Sequence, residues 1–106
     1  MIRTIVIARD FSRSPAGRNV DDGPYSGQAF REQHLLPALQ SEDEVDVDLR
    51  GALGFGSSFL EEAFGGLVRE HHYKPADLRK RMSIHSDLET YVRRIWSYVD
   101  DAARHH

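Results

Sequence analysis

Val45-Asp46-Val47-Asp48-Leu49-Arg50-Gly51-Ala52-Leu53-Gly54-Phe55-Gly56-Ser57-Ser58-Phe59-Leu60-Glu61-Glu62-Ala63-Phe64-Gly65-Gly66-Leu67-Val68 is the stretch that decides how this chain folds. Val45, Val47 and Leu49 alternate with Asp46, Asp48 and Arg50, the period of two that marks a half-buried strand. Gly51, Gly54 and Gly56 then interrupt the pattern with a loop. Beyond them Phe59, Leu60, Ala63, Phe64, Leu67 and Val68 recur at helical spacing, which predicts a helix from about Ser58 with this stripe against the core. Strand, short loop and amphipathic helix make one β-α unit.

Working outward, Ile2 to Ala8 carries apolar residues on both parities. That reads as a strand covered on both faces, as in a parallel sheet. Asp10 to Gly27 is a long polar loop, with room for one more short strand between Gly17 and Pro24. Ser26 is placed to cap a helix beginning near Gly27. Ala29, Phe30, Leu35, Leu36 and Leu39 give that helix its buried side, and Pro37 is expected to bend or end it. On the C-terminal side Pro75 opens a short helix through Arg81. Met82 to His85 is a third strand. Ser86 and Glu89 have capping-box spacing for a last helix, with Leu88, Tyr91, Val92, Ile95, Tyr98, Val99 and Ala102 as its stripe. Setting the short Pro75 helix aside, the order is β-α-β-α-β-α. The expected fold class is α/β, a small mostly parallel or mixed sheet with helices and right-handed crossovers.

The 106 residues suit one domain, spanning 1–106. Lys and Arg number 14 against 17 Asp and Glu, a net charge of -3, so nucleic-acid binding is not expected. There is no cysteine, which removes disulfides and thiolate metal sites and suits a reducing cytoplasm. No apolar run approaches the roughly 20 residues that span a bilayer. Met1 leads straight into a strand pattern, so no signal peptide is expected. His71 and His72 are adjacent and point apart on a helix, and no H-x-x-x-H occurs, so no zinc site is expected. Neither a P-loop nor G-x-G-x-x-G is present, and no cofactor is expected. Gly56-Ser57-Ser58-Phe59-Leu60 has leucine where a nucleophile elbow needs its second glycine. The chain is therefore not expected to be an enzyme. The terminal Arg104-His105-His106 is set aside as native sequence or the stub of a tag.

In open parallel sheets, sites gather beyond the carboxyl ends of the strands. Asp10, Ser12, Arg13 and Arg18 follow the first strand, Gly56, Ser57 and Ser58 the second, and Ser86 and Asp87 the third. Arginines and hydroxyls on one edge suit contact with a partner or an anion. Equally, Asp10 and Arg18 could pair to hold the loop. Ser58 and Glu61 have capping-box spacing, which leaves Ser57 just outside the helix. A phosphate on either serine would bring about -1.5 to -2 charges, favoured by the helix dipole and opposed by Glu61 and Glu62. Gly65 and Gly66, inside the helix, are either a close-packing surface or a partner contact.

Several motifs carry a family resemblance. They are Asp10-Phe11-Ser12, Ser14-Pro15-Ala16-Gly17-Arg18, Asp22-Gly23-Pro24-Tyr25-Ser26-Gly27, Phe30-Arg31-Glu32, Leu35-Leu36-Pro37-Ala38-Leu39 and the run from Gly54 to Leu67. Together they resemble the STAS-like family of small bacterial and phage proteins, from about Ile5 to Leu67. That family is similar to the STAS domains of anti-sigma factor antagonists, which dock to a histidine-kinase-like ATPase that phosphorylates a serine at a helix N-terminus. Their Asp-Ser-Ser-Gly corresponds here to Gly56-Ser57-Ser58-Phe59. The serine pair matches, and the flanking acid and glycine do not. The register of the motif favours Ser58, and expected exposure favours Ser57. The resemblance implies a single STAS-like domain acting as a regulatory protein-binding module, with partner switching against a kinase-like ATPase as one form. The alternatives are a phage-type inhibitor that binds and blocks a host protein complex, or a small anion or nucleotide sensor using Arg13 and Arg18. A homodimer stays open.

Overall fold

The structure is a computed structural model and describes residues 1–104; His105 and His106 lie outside the described residues. The chain runs β1 (Ile2–Val6), a helical turn α1 (Ile7–Asp10), and a long loop. Helix α2 follows over residues 27–41, then β2 (Glu44–Asp48), α3 over residues 57–69, α4 (Pro75–Arg81), β3 (Met82–His85) and α5 (Glu89–Arg104). The loop between Gly17 and Pro24 holds a 3-10 turn at Val20–Asp22, where the sequence left room for a fourth strand.

The three strands form a wholly parallel sheet in the order β1-β2-β3. Ile5 lies beside Val47 and Val47 beside Ile84, so one face is aliphatic. Ile5, Ile7, Val45, Val47, Leu49 and Met82 are buried there, under Phe30, Phe59, Phe64 and Leu67 from the helices. Full burial of such side chains stabilises by about 1.5–3 kcal/mol each. The expectation that β1 is covered on both faces is wrong. Thr4 is exposed and Val6 half-buried, in rows with Asp46 and Ser83 and with Asp48 and His85. Topology supplies the reason. Both crossovers step in the same direction along the sheet, and crossovers of one hand then fall on one face. The second face is left to water, which suits its polar residues.

Pro37 does not end α2, which continues to Ser41. The turns just before it, Arg31–Leu35, widen to π-type geometry, so the helix is loosened where proline withholds its N–H. A second π-type stretch, Glu61–Gly65, interrupts α3. Ser26 caps α2 as expected, its hydroxyl accepting from Ala29 N at 3.1 Å. The capping box of α5 does not form. Ser86 Oγ accepts from Leu88 N instead, the helix starts at Glu89, and Leu88 is exposed rather than part of the buried stripe.

Candidate functional site

Two groups of side chains stand out, one on the carboxyl edge of the sheet and one between α2 and α3. On the edge, the loops after β1 and β2 are joined, Leu53 N donating to Arg13 O at 2.8 Å. A cleft opens between the residue 49–55 loop and the start of α5, lined in part by Leu53, Ser86, Asp87, Leu88 and Tyr91. Phe55 packs edge-on against Tyr91, which fixes the floor. Arg13 is exposed on this edge. Ser12 uses its hydroxyl locally, accepting from Ser14 N at 3.0 Å.

Gly56, Ser57 and Ser58 are all exposed. The capping assignment made for Ser58 fails. Gly56 occupies the cap position of α3, the helix begins at Ser57, and no side chain caps it. Glu61, the intended partner of Ser58, is taken by arginines instead. Both serine hydroxyls therefore stand at the open end of the helix.

Asp10 and Arg18 do not pair. Asp10 accepts from Val6 N at 2.8 Å and from Arg9. The hydrogen bond from Arg9 holds its carboxyl below the usual range against the opposing pull of burial. Arg18 turns the other way, into the second group. Its Nη1 lies 2.5 Å from Glu61 Oε1 and 3.4 Å from Glu62 Oε1. The backbone of Arg18 is equally committed, its C=O accepting from Gln28 N and its N–H donating to Asp22.

Around this point three arginines converge on two glutamates. Arg31, 3% exposed, donates from Nη1 to Glu62 Oε2 at 2.7 Å and to the Glu62 carbonyl at 2.5 Å. Arg69 donates from Nη1 to Glu61 Oε2 at 2.7 Å. Glu32 closes the outer side, 3.3 Å from Arg31 Nη2. Burial pushes the Glu61 carboxyl up, but hydrogen bonds from Arg69 and Arg18 outweigh it and hold Glu61 below its ordinary value. The hydrogen bond to Glu61 raises both of those arginines. Both π-type stretches begin at this cluster, at Arg31 and at Glu61.

The glycines decide its geometry. A Cβ on Gly66 would overlap the Arg31 guanidinium, and one on Gly65 would strike the Glu61 carboxylate. A Cβ on Gly27 would enter the α3 backbone at Phe59 O and Ala63 N. Gly65 and Gly66 are thus a close-packing surface within the chain. Sequence reasoning named Arg31 only within a motif and Glu62 only as a charge near the serines, did not pair the two, and did not single out Arg69. The available signal was the pair Arg31-Glu32 inside an apolar helix stripe, since charges there need partners.

Among the described residues no three His, Cys, Asp or Glu side chains gather to hold a metal ion. Among the described residues no helix is long and apolar enough to cross a membrane.

Comparison with curated proteins and with solved structures gives no significant match. A family model does match, over residues 26–90, from the Ser26 cap through Arg31, Glu61, Glu62 and Arg69 to the first turn of α5, with Arg18 outside it. It begins later and reaches further than the stretch traced from the motifs, and so leaves the Asp10–Tyr25 loop outside. The match takes in β2, β3 and the α2 and α3 residues of the ion-pair cluster, and the chain belongs to this family, described as a STAS-like domain of unknown function (DUF4325).

Proposed function

We propose that this protein is a regulatory, non-catalytic protein-binding module that docks through the carboxyl edge of its sheet. One observation carries the reading. Leu53 and Leu88, 77% and 57% exposed, stand on the two lips of the edge cleft, on the side of the sheet where the loops after β1 and β2 are tied together. Exposed leucines beside a cleft whose lining mixes Leu49, Ala52, Phe55 and Tyr91 with Ser86 and Asp87 give this edge the apolar and polar groups that a docking patch combines. Arg13 adds directional hydrogen bonding, and Ser57 and Ser58 add hydroxyls that a modifying partner can reach. The partner class drawn from the family resemblance is a kinase-like ATPase, with phosphorylation of the serine pair weakening or switching the complex. Asp10 and Arg18, expected as partner or anion contacts, are engaged in the chain's own contacts, which leaves Arg13 as the exposed arginine of this edge. That engagement also counts against an anion sensor built on Arg18.

The test is to identify the partner by pull-down and measure its affinity by calorimetry for Leu53→Asp, Leu88→Asp and Ser57→Asp. Loss of about tenfold or more, worth about 1.4 kcal/mol each, is expected for folded variants. Wild-type affinity in all three places the interface elsewhere, with the open sheet face as the next surface to test.

A further inference from the structure

The sheet is wholly parallel, yet the helices cover only one of its faces. All-parallel sheets occur almost only where both faces are covered. The open face is also not uniformly polar. Ile2, Thr4 and Val6 of β1 alternate with the buried Ile5 and so share it, and Ile2 is 58% exposed. Beside them on β2 runs a row of acids, Glu44, Asp46 and Asp48. Asp48 has its own cation, accepting from Arg50 Nε and Nη2 at 2.9 Å each. Asp46 has His85 at 3.9 Å, and among the described residues Glu44 has no ion pair. Uncompensated negative charge thus lies next to an apolar strip, on a face that water alone covers.

We propose that this face is a second docking surface, and that its occupant is a basic amphipathic helix of a partner protein, apolar over β1 and cationic over β2. The spacings match. Alternate residues on one face of a strand are about 6.6 Å apart, and every fourth residue of a helix rises about 6 Å. Cations at i, i+4 and i+8 then stand over Glu44, Asp46 and Asp48. Neighbouring strands are about 4.8 Å apart, and adjacent rows of a helix about 5–6 Å, so apolar residues at i+3 and i+7 fall over the β1 strip. Other occupants match less well. A second copy laid face to face sets acid against acid. Its α5 brings exposed Arg93 and Arg94, but no large apolar side chain of that helix is exposed. The acid row repels nucleic-acid phosphates and anionic lipid surfaces. The surface is separate from the carboxyl-edge cleft, and the proposal stands whether or not that cleft docks a partner.

The probe is a synthetic peptide of about 18 residues, long enough to form helix in water, with lysine at every fourth position beside a leucine stripe. A second peptide has glutamate in place of each lysine. Amide shifts of the full chain are followed by NMR as each is added, and affinity is taken from the same titrations. The lysine peptide should move the amides of residues 2–6 and 44–48, and its affinity should fall as salt is raised. Glu44→Gln combined with Asp46→Asn should weaken it about fivefold or more, and Ile2→Ser by a similar factor. The glutamate peptide should ignore the wild type and bind the chain carrying Glu44→Lys and Asp46→Lys. Should that charge reversal unfold the chain, the neutral pair of substitutions carries the test by itself. Equal binding of both peptides to the wild type, shifts confined to the loops around Leu53 and Leu88, no shifts at all, or an affinity indifferent to the neutral pair overturns the proposal.

Discussion

Gly66 lies against the guanidinium of Arg31, so close that a Cβ there would overlap Nη1 and sit 2.8 Å from Cζ. The glycine is what lets a buried arginine from α2 reach the Glu62 carboxylate and carbonyl on α3. Helix propensity alone favours Gly66→Ala by about 1 kcal/mol. Displacing Arg31 from its buried partner costs about 3–5 kcal/mol when the pair is broken outright. The second effect should win, and Gly66→Ala should lower stability by about 2 kcal/mol or more in denaturant melts. A variant as stable as wild type would mean that Arg31 can shift without losing Glu62.

Gly27 makes the same point for the backbone. Its added Cβ would meet the α3 main chain, which cannot move aside as a side-chain tip can. Gly27→Ala should therefore destabilise by an amount typical of core overpacking, about 1–3 kcal/mol. Gly56→Ala is the control, because nothing lies within 4 Å of its Cβ position. It should change stability by about 0.5 kcal/mol or less. Equal losses at the two positions would remove the close helix approach as the cause.

Arg31→Met should be costly by itself, about 3–5 kcal/mol, because it leaves Glu62 buried without its closest cation. Adding Glu62→Met should recover much of the loss, since an apolar pair of similar volume replaces the charges. Chemical denaturation of the two single variants and the double variant measures this directly. Additive losses would show that the two residues do not act as a pair.

The serines divide sharply. Ser26 is buried and its hydroxyl holds Ala29 N, so Ser26→Ala should cost about 1 kcal/mol or more. Ser57 and Ser58 are exposed at the start of α3 and cap nothing. Each change to alanine there should stay within about 0.5 kcal/mol. Thermal melts of the three variants side by side settle the contrast.

Acid should weaken the fold in two stages. Burial lowers the pKa of His34, which stacks on Phe30, against the smaller opposing pull of Asp10. The native state thus prefers the neutral ring, and stability is present above the ordinary histidine value of about 6.5 and falls as pH drops through it. His34→Gln should flatten that first decline. Glu61, held low by Arg69 and Arg18 against burial, contributes above the ordinary glutamate range and is lost as pH falls through its lowered folded value. Melting temperature followed from pH 7 down to acid tests both, and a constant value down to about pH 5 would exclude the His34 contribution.

Local sequence was enough to mark nearly every element. The period of two in Val45-Asp46-Val47-Asp48-Leu49, the helical stripe from Phe59 to Val68, the Ser26 cap and the Pro75 start each report interactions within a few residues. The α/β class followed from their order, and the family match takes in the motifs from Ser26 to Leu67. Three matters were decided only in three dimensions. Strand order decided that one face of the sheet stays open, because handedness acts on the direction of each crossover and no local pattern records it. Helix contact decided that Glu61 serves Arg18 and Arg69 rather than Ser58, because capping-box spacing states what a side chain can reach and not what competes for it. The approach of α2 to α3 at Gly27 and Gly66 decided that Arg31 and Glu62 meet, 31 residues apart in the chain. A charge in an apolar stripe announces that it needs a partner; which partner it finds depends on the packing of helices that are distant in sequence.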